Sequence, residues 1–233
     1  MLLLFDIDGT LVQRASREHA VALRQALHNV HGIDPDAIGP SKDRAGRTDG
    51  EIARMILLDA GVSADAIDSR AEEVQDECCR LYATLCPPDL SATVVPGMPD
   101  LLSWLADVSG AQLALVTGNF EAVARIKLRA AGIGHWFEPG QGGFGSDSED
   151  RLALPPLARR RAGEAAGLTT SWPREQTLVI GDTPRDIACA RSDGLRCVAV
   201  TSGPHGELAL VDADAIARSS AELRAVLEAL LGF

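Results

Sequence analysis

The chain has almost no lysine. Lys42 and Lys127 are the only two among 22 lysine and arginine residues, and 33 aspartates and glutamates leave a formal net charge of −11. Such an acidic balance repels the phosphate backbone of nucleic acids and anionic lipid surfaces, so we expect neither nucleic acid nor a membrane as partner. An anionic small molecule can still bind where arginines or a metal ion create local positive charge.

Two further absences bear on where the protein works. No apolar stretch reaches the length of a membrane span, and the N-terminal leucine run meets Asp6 too early to form a signal peptide. The cysteines are odd in number and contain no C-x-x-C pair, so we expect reduced thiols. They are Cys78, Cys79, Cys86, Cys189 and Cys197. The sequence therefore predicts a cytoplasmic protein.

Short apolar segments separated by helical patterns predict an α/β fold. Hydrophobic residues make up 46% of the 233 residues, which is enough for a substantial core. Four segments have the length and composition of buried strands, and a weaker fifth lies at 213–217. The four are 2–6, 112–117, 177–182 and 197–201. The helical patterns between the later segments indicate βαβ units and thus a Rossmann-like parallel sheet.

About a hundred residues separate the first predicted strand from the second, far more than one crossover helix needs. Most of this stretch has helical periodicity. The predicted helices run from Ser16 to Gly32, from Asp49, as the capping residue, to Gly61, and from Ser63 towards Cys86. The sequence thus predicts a helical cap domain at 15–94, inserted into an α/β core formed by 1–14 and 95–233.

The first predicted strand ends in two carboxylates, Asp6 and Asp8, which Gly9 and Thr10 follow. Like charges so close together raise each other's pKa unless a cation or hydrogen bonds hold them, so we expect the pair to serve a function. Gly9 permits a sharp turn, and the Thr10 hydroxyl can orient a carboxylate.

Polar residues also end two later strands. VTGN at 116–119 opens a helix whose free N–H groups would attract an anion, and GDTPRD at 181–186 adds two carboxylates. Ligands bind at the carboxyl ends of the strands in open α/β sheets, so these groups should converge on one site. Hard oxygen ligands of this kind suit Mg²⁺ better than zinc.

Taken together, the motifs resemble those of the haloacid dehalogenase superfamily of phosphohydrolases. FDIDGTLV stands at 5–12, VTGN at 116–119 and IGDTPRDI at 180–187, so their order and spacing span most of the chain. The resemblance implies an α/β core, Mg²⁺ as cofactor and hydrolysis of a small phosphorylated metabolite, with phosphoglycolate or a sugar phosphate as natural examples.

The resemblance also implies catalytic roles. Asp6 would attack phosphorus and form an aspartyl-phosphate, while Asp8 would protonate the leaving oxygen and then activate water. Thr117, with the backbone N–H of Gly118 or Asn119, would hold the phosphoryl oxygens. We expect Mg²⁺ to keep Asp6 ionised, and the charge of Asp6 to favour a proton on Asp8.

The same resemblance implies a metal site. Asp6, the backbone carbonyl of Asp8 and the Asp182 carboxylate would bind Mg²⁺. Asp186, one helical turn beyond, would orient these ligands together with Thr10.

The superfamily usually places a lysine beside the nucleophile, and this chain departs from that pattern. Lys127 lies about 13–15 Å along its helix from Thr117 at 1.5 Å per residue, so it remains only a candidate substrate contact. The matching stretch, 147–152, offers Arg151 as a permanently charged substitute. A glycine-rich stretch before it, 140–145, is interpreted as a flexible connection.

In the insert, residues 45–49 (AGRTD) resemble the specificity loop that such caps lower over the site. Arg47 would then clamp a second phosphate or carboxylate of the substrate. Arg14 is a weaker candidate, and Lys42 lies in the same insert.

Other functions remain open at this stage. A phosphomutase of the same superfamily would use the same aspartates but return the phosphoryl group to its substrate. A non-catalytic module that senses Mg²⁺ or phosphate is a further alternative, although the presence of Asp8 and a cap argues for catalysis. A dehalogenase or phosphonatase would not need Asp8. The sequence predicts a monomer or homodimer without distinguishing them.

Overall fold

The computed structural model describes residues 1–34 and 44–231, so Lys42 lies outside the described residues. Within these ranges six strands form one parallel sheet. They are β1 (Leu2–Phe5), β2 (Gln112–Thr117), β3 (Gly143–Phe144), β4 (Thr177–Gly181), β5 (Arg196–Val200) and β6 (Ala215–Ala217). Their order across the sheet is β3-β2-β1-β4-β5-β6. The prediction of an α/β fold with a Rossmann-like parallel sheet is confirmed.

The described ranges also contain nine α-helices. They are α1 (Arg17–His31), α2 (Asp49–Asp59), α3 (Ala64–Ser69), α4 (Ala71–Leu85), α5 (Met98–Asp107), α6 (Glu121–Ala130), α7 (Leu154–Ala165), α8 (Pro184–Ser192) and α9 (Ser220–Leu231). None of the helices in these ranges is long and apolar enough to cross a membrane.

Two details of the insert differ from the sequence prediction. The single long helix predicted from Ser63 is two helices, because the chain leaves helical geometry at Arg70 between α3 and α4. The capping residue of α2 is Thr48 and not Asp49: the Thr48 hydroxyl accepts the Glu51 N–H at 3.1 Å. The Asp49 carboxylate is thereby free to bond to the core.

The central strand β1 is apolar throughout because both faces of the sheet are covered. All four of its residues are buried. Leu3 and Phe5 point into the hydrophobic cluster on one face, whereas Leu2 and Leu4 point into the cluster on the other. This central position brings the residues that follow β1 to the middle of the sheet edge.

The stretch predicted as a flexible connection contains β3 instead. Gly143 pairs with Val116 of β2, and a Cβ at Gly143 would collide with the backbone oxygen of Leu154. Gly142 has a φ of 122°, which few L-residues adopt. The glycines therefore permit close packing of this short strand rather than flexibility.

Helices α1 to α4 pack around a hydrophobic cluster of their own. It includes Leu27 of α1 and the fully buried Tyr82 of α4. Phe120 and Val123, at the start of α6, belong to the same cluster. The helical insert therefore packs directly on the helix that follows VTGN, and this contact places it over the carboxyl edge of the sheet.

Candidate active site

The carboxyl ends of β1, β2 and β4 open into a cavity of about 570 Å³, and the insert forms its opposite wall. Its walls include most of the residues that the sequence predicts for the site. These are Asp6, Asp8, Arg47, Gly118, Asn119, Arg151 and Asp182. Thr117 and Lys127 are fully buried and are not among the lining residues described.

Arg151 lies beside the predicted nucleophile. Its Nη2 donates to Asp6 Oδ1 at 2.9 Å and also to Asp186 Oδ1. Burial and the charge of Asp186 raise the pKa of Asp6 to about 7, against the opposing effect of Arg151. The structure thus brings Arg151 to the place where a basic residue can bind a phosphoryl group, and its Nε has no hydrogen-bond partner in the described ranges.

Three buried carboxylates form a group suited to a metal ion. Oxygen atoms of Asp6, Asp182 and Asp186 lie within 4.8 Å of one another. Burial and the charges of Asp6 and Asp186 raise the pKa of Asp182 to about 8. Thr10 Oγ1 donates to Asp182 Oδ1 at 3.2 Å, whereas the buried Asp182 Oδ2 has no hydrogen-bond partner among the described residues. An oxygen-preferring dication would satisfy this atom and offset the repulsion.

Two glycines and a helix start shape this group. A Cβ at Gly9, whose φ is 94°, or at Gly203 would collide with the Asp182 carboxylate. Asp186 Oδ2 accepts the Thr183 N–H at 2.9 Å and forms the capping box of α8. Asp186 is therefore already held by Arg151 and by the backbone, which suits an orienting residue better than a metal ligand.

Asp8 is surrounded by donors. Lys127 Nζ lies 2.6 Å from Oδ2, Asn119 Nδ2 donates to Oδ2 at 2.9 Å, and Ser16 Oγ donates to Oδ1 at 2.9 Å. Burial alone would raise the pKa of Asp8, but Lys127 and the hydrogen bonds lower it to about 2. The proton expected on Asp8 stays a prediction, because it depends on Mg²⁺ keeping Asp6 ionised. The protein groups by themselves lower the pKa of Asp8 and raise that of Asp6.

Lys127 is much closer to the site than the sequence argument places it. That argument measures the helix from Thr117, whereas α6 begins only at Glu121. The side chain also extends back towards the N-terminus of the helix, as long side chains in helices do. Its ammonium group bonds Asp8 and, at 2.8 Å, Asn119 Oδ1, so it lies behind Asp8 rather than facing the cavity as a substrate contact.

The VTGN segment is held by internal bonds. Thr117 Oγ1 accepts from the Asn119 side-chain amide at 3.1 Å. The Asn119 amide thus connects Thr117, Lys127 and Asp8. Gly118 lies against the insert, since a Cβ there would collide with the Arg47 carbonyl oxygen. This close approach gives a steric reason for glycine at position 118.

The loop of residues 45–49 touches the core at several points. Asp49 N–H donates to the Gly118 carbonyl at 2.8 Å, and Asp49 Oδ2 accepts from Phe120 N–H at 2.7 Å. Arg185 donates to the Ala45 carbonyl at 2.8 Å. The predicted specificity loop therefore lies over the carboxylates, and Arg47, which is paired with Glu51, lines the cavity.

Among the lining residues that sequence reasoning missed are Ser16, His19 and Arg44. Ser16 is predicted only as a helix cap, yet its hydroxyl bonds Asp8 and makes no cap bond. His19 Nε2 lies 3.0 Å from Asp49 Oδ2. The short distance of Ser16 from Asp8 in sequence is the one available signal, because the other contacts arise only when the insert folds back on the core.

The fold and these strand-end carboxylates agree with a match to a known family. The family model of the haloacid dehalogenase-like hydrolases matches residues 3–191, so the chain belongs to this family and is a hydrolase, as predicted.

Individual relatives extend the comparison. A phosphoglycolate phosphatase from Pseudomonas putida is 29% identical over 228 residues, which cover 97% of this chain and 78% of that protein. A predicted phosphatase from Clostridium acetobutylicum has a similar fold, with a TM-score of 0.66, 19% identity and 97% coverage of both chains. A β-phosphoglucomutase from Clostridium difficile has a TM-score of 0.65 at 19% identity and covers 99% of this chain and 97% of its own.

Proposed function

We propose that the protein is a Mg²⁺-dependent phosphatase that hydrolyses a small phosphorylated metabolite through an aspartyl-phosphate. The observation that carries the proposal is Asp6 at the cavity wall, bonded to Arg151 and grouped with the unsatisfied Asp182 carboxylate. A nucleophile, a fixed cation and a metal-binding carboxylate are the parts that phosphoryl transfer needs in one place.

Asp6 is the nucleophile of the first step. A carboxylate oxygen attacks phosphorus, the ester P–O bond breaks, and the leaving oxygen takes a proton to depart as an alcohol. Arg151 and the backbone N–H groups of Gly118 and Asn119 stabilise the charge on the transferring phosphoryl oxygens. Water then attacks the aspartyl-phosphate, which releases phosphate and restores Asp6.

Asp8 moves the proton in both steps. It gives a proton to the leaving oxygen and takes one from the attacking water. Lys127 lowers the pKa of Asp8. A bound phosphoryl group adds negative charge beside Asp8, which raises its pKa towards the range where it can hold that proton.

Asp6, Asp182 and the backbone carbonyl of Asp8 would hold the Mg²⁺ ion, with Thr10 and Asp186 orienting the two carboxylates. The ion would supply positive charge that keeps Asp6 ionised and neutralises the phosphoryl oxygens.

The substrate proposal rests on the size of the cavity and on the named relatives. The phosphoglycolate phosphatase of Pseudomonas putida aligns over nearly the whole chain, which supports a small phosphorylated acid or sugar phosphate. Residues 15–94 would act as the cap that excludes bulk water from the cavity, since their loop at 45–49 already bonds the core.

The test is release of phosphate from p-nitrophenyl phosphate with Mg²⁺. Asp6→Asn and Asp8→Asn should each lose at least about 10²-fold in kcat, the lower range for such groups. Asp107→Asn, at an exposed aspartate that ends α5, serves as the matched control. Full activity of either site variant would overturn the mechanism. Phosphate release that requires a bisphosphate activator would favour a phosphomutase instead.

A further inference from the structure

Arg44 has no ion pair among the described residues, unlike two other arginines that line the cavity. Arg47 pairs with Glu51, and Arg151 pairs with Asp6 and Asp186. Arg44 also lines the cavity, but its Nε and Nη2 are shielded from water and have no hydrogen-bond partner in the described part of the chain. Buried guanidinium N–H groups without acceptors are costly, so an acceptor is expected to arrive with a ligand.

A second arginine lies next to Arg44. Burial and the charge of Arg24, on α1, both lower the pKa of the Arg44 guanidinium. Arg24 Nε is likewise buried without a partner within residues 1–34 and 44–231. Two like charges thus repel each other, and neither has an acidic partner among the described residues, in a protein whose net charge is −11. This is the local positive charge that an anion would need in an otherwise repulsive field.

The place of this pair in the cavity indicates what the anion belongs to. Arg44 shares the cavity with Asp6 and Asp8, and at about 570 Å³ that cavity holds far more than one phosphoryl group. The phosphoryl group itself is already provided for by Arg151 and the VTGN backbone. An anion bound at Arg44 would therefore be a second group of the molecule that occupies this cavity.

We propose that Arg44, supported by the charge of Arg24, binds a second anionic group of the substrate and selects phosphate monoesters that carry a carboxylate or a second phosphate away from the scissile bond. This inference rests on the proposed phosphatase function. It assigns the selecting role to Arg44 rather than to Arg47, whose guanidinium is held by Glu51.

The test compares matched esters with and without the second charge. One pair is 2-phosphoglycolate and 2-hydroxyethyl phosphate, and the other is glucose 1,6-bisphosphate and glucose 6-phosphate. For the wild-type enzyme we expect at least a tenfold higher kcat/KM for the charged member of one pair. Arg44→Gln should remove most of that preference by raising KM for the ester with the second anionic group. The kcat/KM for the ester without it should change less than twofold. The pair that shows the loss identifies carboxylate or phosphate as the bound group.

Controls separate this role from folding and from general charge effects. Arg129→Gln removes one exposed positive charge from α6 and should leave the preference intact. Arg44→Lys, which keeps the charge but loses the planar fork, should keep part of it. Thermal unfolding of each variant reports on folding. In Asp6→Asn protein, phosphonoacetate should bind more tightly than ethylphosphonate, and Arg44→Gln should abolish the difference.

The outcomes distinguish two failures. Two results would overturn the role of Arg44: an unchanged preference in Arg44→Gln, or equal losses of kcat/KM on esters with and without the second anionic group. Hydrolysis of the esters without that group would still support the phosphatase function. A wild-type enzyme that releases phosphate from none of these esters, nor from p-nitrophenyl phosphate, would overturn the proposed function and this inference with it.

Discussion

Lys127 Nζ lies 2.6 Å from Asp8 Oδ2, and the lysine side chain is fully buried while that of Asp8 is 28% exposed. One of only two lysines in the chain is thus used to hold the carboxylate that is proposed to move protons. The arginine beside Asp6 and the lysine beside Asp8 give the two neighbouring aspartates different partners. Both cations lower the pKa of their carboxylate, but burial and the charge of Asp186 outweigh Arg151 at Asp6, so the pKa is about 7 for Asp6 and about 2 for Asp8.

Replacing Lys127 by methionine should raise the pKa of Asp8. Without the ammonium group, burial is no longer opposed and should raise the pKa of Asp8 above about 4, the value of a free aspartate. Titration of the aspartate carboxyl carbons by NMR measures this shift. We expect kcat to fall by about 10²-fold, since proton transfer loses its tuned group. Lys127→Arg, which keeps the charge, should retain a low pKa at Asp8, and an unchanged titration in Lys127→Met would refute the assignment.

Arg151→Gln should reduce activity much more than a comparable change elsewhere. Arg151 bonds both Asp6 and Asp186, and loss of one such charged donor at a phosphoryl site costs about 10²–10³-fold in kcat. Arg159 offers a matched control because it is also a buried arginine, paired at 2.7 Å with Asp193. Arg159→Gln should lower the melting temperature yet leave kcat/KM within about threefold, as expected for a site outside the chemistry. Comparable kinetic losses in both variants would indicate that Arg151 acts only on stability.

The stability of the metal-free protein should fall as the pH rises. The folded-state pKa values of Asp6 and Asp182, about 7 and about 8, lie above the unfolded value of 3.8. The folded state therefore binds more protons than the unfolded state between pH 4 and 8, so the free energy of unfolding decreases through this window. Thermal unfolding in EDTA should show a lower melting temperature at pH 8.5 than at pH 6.

Two additions to that experiment isolate the cause. Mg²⁺ should raise the melting temperature more at pH 8.5 than at pH 6, because binding requires both carboxylates to be ionised. Asp182→Asn should flatten the decline in EDTA and raise stability at pH 8.5 by about 2 kcal/mol, or roughly 4–8 °C, since it removes one buried negative charge. A melting temperature in EDTA that rises towards pH 8.5 would contradict the proposed repulsion between the buried carboxylates of Asp6 and Asp182.

The parallel sheet and the placement of its carboxylates were accessible from the sequence for a simple reason. β1, β2, β4 and β5 are buried on both faces, so each is an uninterrupted apolar run, and the residue types that end such runs stand out. Parallel strands bring their carboxyl ends to one edge, which explains why Asp6 and Asp182 could be placed together. The two-residue strand β3 has no such run, and its glycines suggest a loop.

Contacts between the insert and the core could not be predicted in the same way. The bonds from Asp49 to Phe120 and from Ser16 to Asp8 depend on how the helices fold back over the sheet. Lys127 illustrates a different difficulty, because the length and direction of its side chain outweigh its distance along the helix. Tertiary packing and side-chain reach thus determine which partners the predicted residues find.

Asp49→Ala should loosen the insert from the core next to the site. Asp49 Oδ2 accepts the Phe120 N–H at 2.7 Å and lies 3.0 Å from His19 Nε2, so its loss leaves a buried backbone N–H without that acceptor. This costs about 1–3 kcal/mol. We expect faster hydrogen exchange at the Phe120 amide and, because water then enters the cavity, a kcat lowered by about tenfold, or 1.4 kcal/mol.

Asp65→Ala, in the exposed first turn of α3, removes the same charge from the insert without a bond to the core and should change neither quantity. Unaltered exchange at Phe120 in Asp49→Ala would show that the Asp49 carboxylate is not needed to hold the insert and that its other contacts with the core suffice.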